Sequence, residues 1–403
     1  MDLNKEQVAA IEAIKEWGSG KGPALISLTG AAGTGKTTIL HEAKKHIVGA
    51  AWTAMTGRAA LRLNEAAGVK ASTLHAVLYK RPEMLKGGEI EFKSLNVPSF
   101  KYLVIDESSM VTPKIFNDLK QWVYFYKIRI LFVGDSFQLP PILTEEDKKN
   151  DSEFIVFSHV KGPELINVMR SDGGIIDIAT IIREEKRFPT KPNEAYSVIQ
   201  KPDPIECAID EYLADPDDHM VITWRNKMRM DANHRIRAKL GHTSYLPDEE
   251  EPIIFCRNGQ GVLNGQMAIA KKIIPGPIIE GVITYRILLE DKRFVLCSVT
   301  GSEEFMDGQM PFIKNWKAYL KAKRKYNLED PIPITYGYVS TAHKAQGNEF
   351  RRVSIMLQGT DINNINFRAM TTLPNGSKVP FGIRWFYTSL TRAKEKAMLI
   401  VGV

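Results

Sequence analysis

The sequence predicts an α/β protein built on a parallel sheet covered by helices and divided into at least two domains. Three observations carry this. Short apolar runs at residues 24–28, 102–105 and 130–133 alternate with helix-compatible sequence, the pattern of a helix-covered parallel sheet. The first run leads into a glycine-rich loop and the other two end at acidic motifs. The length of 403 residues exceeds the ~250–300 at which a single core stops growing.

Taken in order, residues 3–17 place Leu3, Val8, Ile11, Ile14 and Trp17 at near-helical spacing, and Gly18-Ser19-Gly20 stops that helix. A strand over 24–28 and a helix-compatible run over 38–47 follow. Residues 79–96 carry Lys86-Gly87-Gly88-Glu89 between two short strand candidates, a hairpin signal. Between about 241 and 330 the texture changes to prolines, glycines and short β-branched runs such as Arg293-Phe294-Val295-Leu296. This predicts a small β-rich module inserted into a second α/β domain, which resumes near Ile334.

Composition narrows the class. The chain is 44% apolar and 25% charged, as globular proteins are. No apolar run reaches the ~18 residues of a membrane span, and Met1-Asp2-Leu3-Asn4-Lys5-Glu6 lacks a signal-peptide layout. The expectation is no membrane partner and a cytoplasmic location, in a bacterial or phage-infected cell. Cys207, Cys256 and Cys297 are scattered and odd in number, which fits reduced thiols. A formal charge of +7 favours a polyanionic partner.

The chemistry concentrates in three segments. Gly30-Ala31-Ala32-Gly33-Thr34-Gly35-Lys36-Thr37, followed by Thr38, matches GxxxxGK[ST] between a strand and a helix. In such a loop backbone N–H groups face phosphates, Lys36 reaches the β and γ oxygens, and the Thr37 hydroxyl meets magnesium (Mg2+). The run at 102–105 ends in Asp106-Glu107. There Asp106 is expected to hold the metal through water, and Glu107 to orient or deprotonate the attacking water. The third segment, Gly134-Asp135-Ser136-Phe137-Gln138-Leu139-Pro140-Pro141, offers Gln138 as a sensor of the γ-phosphate.

Together these segments resemble superfamily 1 helicases. Thr341-Ala342-His343-Lys344-Ala345-Gln346-Gly347-Asn348-Glu349 looks like motif V of that family, and Tyr387-Thr388-Ser389-Leu390-Thr391-Arg392-Ala393-Lys394 looks like motif VI. Thr56-Gly57-Arg58-Ala59-Ala60 and Ala71-Ser72-Thr73-Leu74-His75 are similar to DNA-contacting segments of the 1B branch, which includes RecD-like and Dda-like enzymes. The resemblance implies two RecA-like P-loop motor domains. It places the first at 1–78 and 97–168 with a hairpin insertion at 79–96. The second lies at 169–240 and 334–403, with an SH3-like insertion at 241–333 that contains Asn264-Gly265-Gln266.

The same resemblance implies site residues. Arg170 and Arg392 match arginines that reach the γ-phosphate, where a guanidinium suits spread charge. Gln7 matches a glutamine that reads adenine, and Gly347 and Glu349 fall in the nucleotide-binding part of motif V. Thr56, Thr73, His75, Thr341 and His343, with Trp224, Arg225 and Asn226, match strand contacts, and Phe92 the duplex-splitting pin. The implied activity is ATP-dependent DNA unwinding, with 5′ to 3′ movement on single-stranded DNA. The implied cofactors are ATP and magnesium. The implied partners are single-stranded DNA, duplex junctions, and a single-strand-binding protein or replication and repair proteins, met by a monomer. With no extension before Gln7 and no nuclease signature, a free-standing motor is expected. Three alternatives stay open: a translocase without strong unwinding, an RNA-directed relative, and a non-motor nucleotide switch. Basic residues over 314–325, with Trp316 and Tyr319, suit a solvated amphipathic helix or a nucleic-acid path.

Overall fold

A computed structural model of the protein describes residues 3–80, 83–84, 90–91, 95–143, 147, 153–168, 174–244, 246–257, 259–262, 264–279, 283–298, 316–325 and 329–403. The chain forms two compact units. Residues 1–80, 94–204 and 346–403 make the first, and 81–93 with 205–345 make the second.

The first unit opens with α1 (Lys5–Gly18), nucleated by a capping box. The Asn4 side chain accepts the Gln7 N–H at 2.8 Å, and the Gln7 side chain accepts the Asn4 N–H at 3.1 Å. Its fully buried stripe is Gln7, Ala10, Ile14 and Trp17, whereas Val8 is 47% exposed. The expected stripe through Val8 is therefore corrected by a rotation. A 3.6-residue period admits both faces; small Ala10 allows close approach to the sheet, and Gln7 finds polar partners there.

The sheet holds β1 (Leu25–Gly30), β2 (Ala51–Ala54), β3 (Ala71–Thr73), β4 (Tyr102–Asp106), β5 (Arg129–Gly134) and β6 (Glu164–Leu165) in the order β3-β2-β4-β5-β1-β6. Every pairing is parallel. Leu103, Val104, Ile105 and the run from Ile130 to Val133 are fully buried, as strands covered on both faces must be. The core joins Ile14 and Trp17 to Leu28, Ile39, Leu40 and Leu131. Parallel direction brings Gly30, Asp106 and Gly134 to one edge of the sheet, the carboxyl-end edge where open α/β sheets build sites.

Helices α2 (Lys36–Ala43), α3 (Gly57–Ala67), α4 (Leu74–Leu78) and α5 (Pro113–Tyr126) follow β1, β2, β3 and β4. The chain then adds α6 (Ile175–Glu185) and β7 (Tyr196–Lys201) and returns through β8 (Phe350–Leu357), α7 (Phe381–Leu390) and β9 (Ala393–Gly402). Strands β7, β9 and β8 pair in parallel, in that order. Helix α7 is buried on nearly every side.

In the second unit, strands His219–Thr223 and Val339–Thr341 pair in parallel. Six further strands between Pro252 and Tyr336 form one sheet. Its pairings are antiparallel except for Phe294–Ser298 against Ile332–Tyr336. Arg237, on helix Asn226–Lys239, forms a bidentate pair with buried Glu251 at 2.8 and 2.9 Å, and the Tyr338 hydroxyl donates to the same carboxylate at 2.6 Å. Strands Glu83–Met84 and Ile90–Glu91 pair antiparallel; Phe92 lies outside the described residues. Tyr319 on helix Trp316–Lys325 is fully buried, so it belongs to the core and lines no path. Among the described residues no helix is long and apolar enough to cross a membrane. The three cysteines form no disulfide, and burial pushes the Cys297 thiol well up.

The rotated face of α1 is testable. Ile14→Ala should lower the unfolding free energy by about 2–5 kcal/mol, the usual cost of emptying a core position, while Val8→Ala should stay within about 0.5 kcal/mol. Urea midpoints at an unchanged slope give both values; equal losses would contradict the assignment.

Candidate nucleotide site and nucleic-acid contacts

The carboxyl edge of the first unit's sheet gathers the three predicted segments. Between β1 and α2 the phosphate loop turns through Gly33 and Gly35 at φ +78 and +87°. A side chain at Gly35 would strain that backbone, and its Cβ would meet Gln7 Nε2 at 2.4 Å. Thr34 is fully buried and donates to the Ala31 carbonyl. Lys36 Nζ donates to the carbonyls of Gly30 and Ala31, each at 2.8 Å. Burial holds its pKa below the usual lysine range, opposed by the charges of Asp135, Glu107 and Asp106.

Asp106 closes β4, and its carboxylate accepts the Glu107 N–H at 2.9 Å. Burial, followed by the neighbouring Glu107 charge, pushes the Asp106 carboxyl up. Glu107 sits in the left-handed region at φ +53°, a conformation non-glycine residues adopt at functional turns. Both acids line an open cleft with Thr37 and Arg62. A hydroxyl and two adjacent carboxylates, one resisting ionisation because its burial is only partly offset by the Glu107 N–H and the Lys36 and Arg62 charges, form a donor set that fits magnesium.

Beyond β5, Asp135 is 1% exposed. It accepts from Arg183 Nη1 at 2.8 Å, the Tyr387 hydroxyl at 2.5 Å and the Phe137 N–H at 2.9 Å. Burial works against its ionisation, but Arg183 and Lys36 outweigh that and hold its pKa below the usual carboxylate range. The Arg183 guanidinium lies 5.3 Å from the Phe137 ring centre and 5.8 Å from that of Tyr387. The Tyr387 oxygen also accepts the Ala32 N–H of the phosphate loop at 3.4 Å.

Helix α7 is bolted onto the loop that carries Gln138. Arg384 Nε donates to the Gln138 carbonyl at 3.1 Å and Nη2 to that of Ser136 at 3.2 Å, while Thr388 Oγ1 accepts the Leu139 N–H at 2.9 Å. Burial lowers the Arg384 pKa to about 10. Among the described residues, its Nη1 and Gln138 Oε1 are both buried without a hydrogen-bond partner.

The remaining expected residues fall as follows. Gln7 backs the phosphate loop: Nε2 donates to the Thr34 carbonyl at 3.1 Å, and the amide oxygen is committed to the α1 cap. Arg392 donates to the carbonyls of Thr388 and Asn348 and to the Thr391 hydroxyl, at 3.1 to 3.3 Å. Glu349 pairs with Arg62 at 2.8 Å. Gly347, at φ +80°, packs so closely on Thr56 that a Cβ would stand 2.3 Å from its hydroxyl. Arg170 lies outside the described residues.

The candidate strand contacts are also structural caps. Thr56 and Thr73 accept the N–H groups of Ala59 and Ala76 at the starts of α3 and α4, which leaves each O–H available as a donor. Burial, followed by the Lys114 charge, lowers the His75 pKa, and its ring stands 5.8 Å from that of Tyr79. In the second unit Arg225 lies over Trp224 at 5.2 Å, Asn226 is exposed at the start of its helix, and Thr341 is buried. Burial lowers the His343 pKa to about 4. His242, Asp248 and Glu251 lie within 4.8 Å of one another, but Arg237 already fills the place a cation would take beside Glu251.

Sequence reasoning passed over Asp135, Arg183, Arg384 and Tyr387. Asp135 and Tyr387 stand inside quoted motifs, so position was the available signal; Arg183 and Arg384 have none, because only folding brings α6 and α7 to the loop.

Asp135→Ala should cost about 2–4 kcal/mol at neutral pH, because it leaves a half-buried guanidinium and a buried hydroxyl without their acceptor. The folded carboxyl titrates below the unfolded value of ~3.9. Its contribution is therefore complete above that value and fades as pH falls through the folded pKa. Denaturation at pH 7 and pH 3 should show the gap between wild type and variant closing in acid. A constant gap would refute the pairing.

Comparison with known proteins bears on this geometry. Residues 2–188 match the family model of an AAA domain, an ATP-binding unit. The chain is 30% identical over 169 residues to the ATP-dependent DNA helicase dda of Enterobacteria phage T4, covering 40% of this chain and 38% of that protein. It is 32% identical over 144 residues to the ATP-dependent RecD2 DNA helicase of Deinococcus radiodurans, covering 35% and 18%. The chain thus spans less than two fifths of the length of these curated relatives. A Pif1 helicase from Bacteroides, solved in complex with ADP-AlF3 and ssDNA, superposes with a TM-score of 0.58 at 17% identity, covering 100% of this chain and 93% of that one. The architecture is accordingly a mixed α/β fold with parallel sheets of the RecA-like motor type. In its phosphate loop and in these matches, the chain is similar to ATP-dependent DNA helicases over the part that each match covers.

Proposed function

We propose that this protein is an ATP-dependent DNA helicase that moves along single-stranded DNA and unwinds duplex. One observation carries the reading: the phosphate loop, the Asp106-Glu107 pair and the Gln138 loop meet at one sheet edge, with motif VI helix α7 bonded to the last of them. A nucleotide switch needs the first of these; fast hydrolysis coupled to movement needs all. The relatives' names, and the solved Pif1 complex with ssDNA, support the same activity.

On binding, ATP phosphates offer Lys36 better acceptors than the loop carbonyls it now uses, and they replace the Tyr387 oxygen at the Ala32 N–H. Thr37 and Asp106 would hold magnesium, which when bound neutralises charge on the β and γ oxygens. Glu107 orients the attacking water and takes its proton. Gln138, its amide oxygen without a partner among the described residues, reads the γ-phosphate. Because Arg384 and Thr388 grip that loop, movement of Gln138 on hydrolysis reaches α7 and Arg392 at its end. Arg392 and Arg170 answer charge on the transferring phosphoryl group.

In the same reading the first RecA-like domain is 1–78 with 97–168, and the second is 169–240 with 334–403. The mainly antiparallel strands between Pro252 and Tyr336 support an SH3-like insertion at 241–333, and the short strand pair at 83–91 supports a hairpin pin carrying Phe92. Thr56, Thr73 and His75, and in the second unit Trp224, Asn226, Thr341 and His343, contact the strand through backbone phosphates and base faces. Movement runs 5′ to 3′.

The test is steady-state ATPase with and without single-stranded DNA, with single-stranded RNA as competitor and Lys36→Ala as blank. DNA should stimulate turnover strongly, and tailed duplexes should open only with a 5′ tail. No stimulation by either polymer would favour the switch. Glu107→Gln should still bind ATP while turnover falls about 10²- to 10⁴-fold; loss of binding with turnover would contradict its role.

A further inference from the structure

Helix α5 packs Ile115, Phe116, Leu119 and Trp122 into the core of the first unit. Its last turn does the opposite: Tyr124 and Phe125 are 69% and 68% exposed and Tyr126 is 46% exposed. Three consecutive aromatic rings left in water call for a partner. The exposed charged side chains of this helix and its C-cap are lysines. Lys114, Lys120 and Lys127 are exposed on the same segment. The helix's lone acid, Asp118, is already engaged by the Tyr79 hydroxyl at 2.6 Å and by Lys114 at 3.3 Å. Lys127 stands 5.3 Å from the Tyr124 ring centre, and the Tyr124 and Phe125 rings meet edge to face at 4.9 Å. Exposed Lys101 follows close by along the backbone: its carbonyl accepts the Arg129 N–H, two residues beyond the helix's C-cap Lys127.

The patch lies at the amino ends of β4 and β5, whereas the nucleotide site lies at their carboxyl ends. Strands of five and six residues separate the two by about 15–20 Å. It is therefore no extension of the nucleotide site. Aromatic faces that accept any base, on a helix whose exposed charges are lysines and whose one acid is engaged, are the combination that holds single-stranded nucleic acid without reading sequence. An apolar protein surface would gain nothing from the lysines.

We propose that the end of α5 is a second single-strand contact, with bases stacked on Tyr124 and Phe125 and phosphates met by Lys101, Lys120 and Lys127. It adds to the strand contacts of the proposed function and rests on that reading only for the identity of the polymer.

Fluorescence anisotropy on the full chain tests it, with oligothymidylates of about 8 and about 40 nucleotides, the short one sized for a single stacking site. Tyr124→Ala/Phe125→Ala and, separately, Lys120→Glu/Lys127→Glu should leave the short oligonucleotide's affinity unchanged. Each should weaken the long one about tenfold. The lysine variant should also flatten the salt dependence by about 0.7 for each phosphate that is no longer neutralised. ATPase stimulated by the short oligonucleotide should stay at the wild-type level. Unchanged affinity for the long oligonucleotide would overturn the proposal. So would a wild-type dimer in sedimentation that the aromatic variant abolishes, which would assign the patch to a second copy, or an acidic peptide that binds the patch while DNA affinity is unaltered. Wild type that binds neither oligonucleotide would overturn the proposed function together with this contact, whereas failure confined to the patch variants leaves that function standing.

Discussion

A carboxylate removed from water must be paired, and Asp135 imposes that demand on the whole nucleotide site. At 1% exposure its negative charge is tolerable only because α6 supplies Arg183, α7 supplies the Tyr387 hydroxyl and the following loop supplies the Phe137 N–H. Segments far apart in the chain are thereby drawn to the end of one strand. The loop after β5 is held at its first residue by these groups and over the next four by Arg384 and Thr388. Gln138 is positioned as a consequence, its own amide oxygen making no hydrogen bond among the described residues.

The same edge is electrostatically incomplete. Lys36 spends its donors on carbonyls of its own loop, burial and Glu107 hold Asp106 back from ionising, and Glu107 occupies a left-handed turn that costs on the order of 1 kcal/mol. Each of these is a small penalty that a polyphosphate and a divalent cation would relieve together. The strain is local because the sheet beneath is parallel, continuous and dry, so it cannot relax by moving the strands.

Several of the candidate contact residues also hold local structure. Thr56 and Thr73 cap α3 and α4 through their oxygens, and Gln7 caps α1 while bracing the phosphate loop. A hydroxyl that accepts from a helix N–H can still donate outward, so capping fixes the direction of the group without consuming it. Gly347 shows the complementary constraint, since only a residue without Cβ allows motif V to close on Thr56.

How much of this was legible in the chain follows from the range over which each interaction acts. Local chemistry was: the GxxxxGK[ST] loop, the acids ending an apolar strand and the glutamine after a third are contiguous patterns, and the parallel α/β class follows from their alternation. Periodicity alone left the buried face of α1 open, and contact with the sheet selected Gln7, Ala10, Ile14 and Trp17 over Val8. Tyr319, equally consistent with a nucleic-acid path, turned out to be core. The Asp135 network, the Arg384 grip on the Gln138 loop and the exposed aromatic end of α5 belong to tertiary structure, because they join or oppose segments up to some 250 residues apart. Hydrogen-bond geometry and burial exist only after folding, so spacing along the chain could specify which chemistry is present, while the packing of the sheet and α7 decided which groups meet and which remain in water.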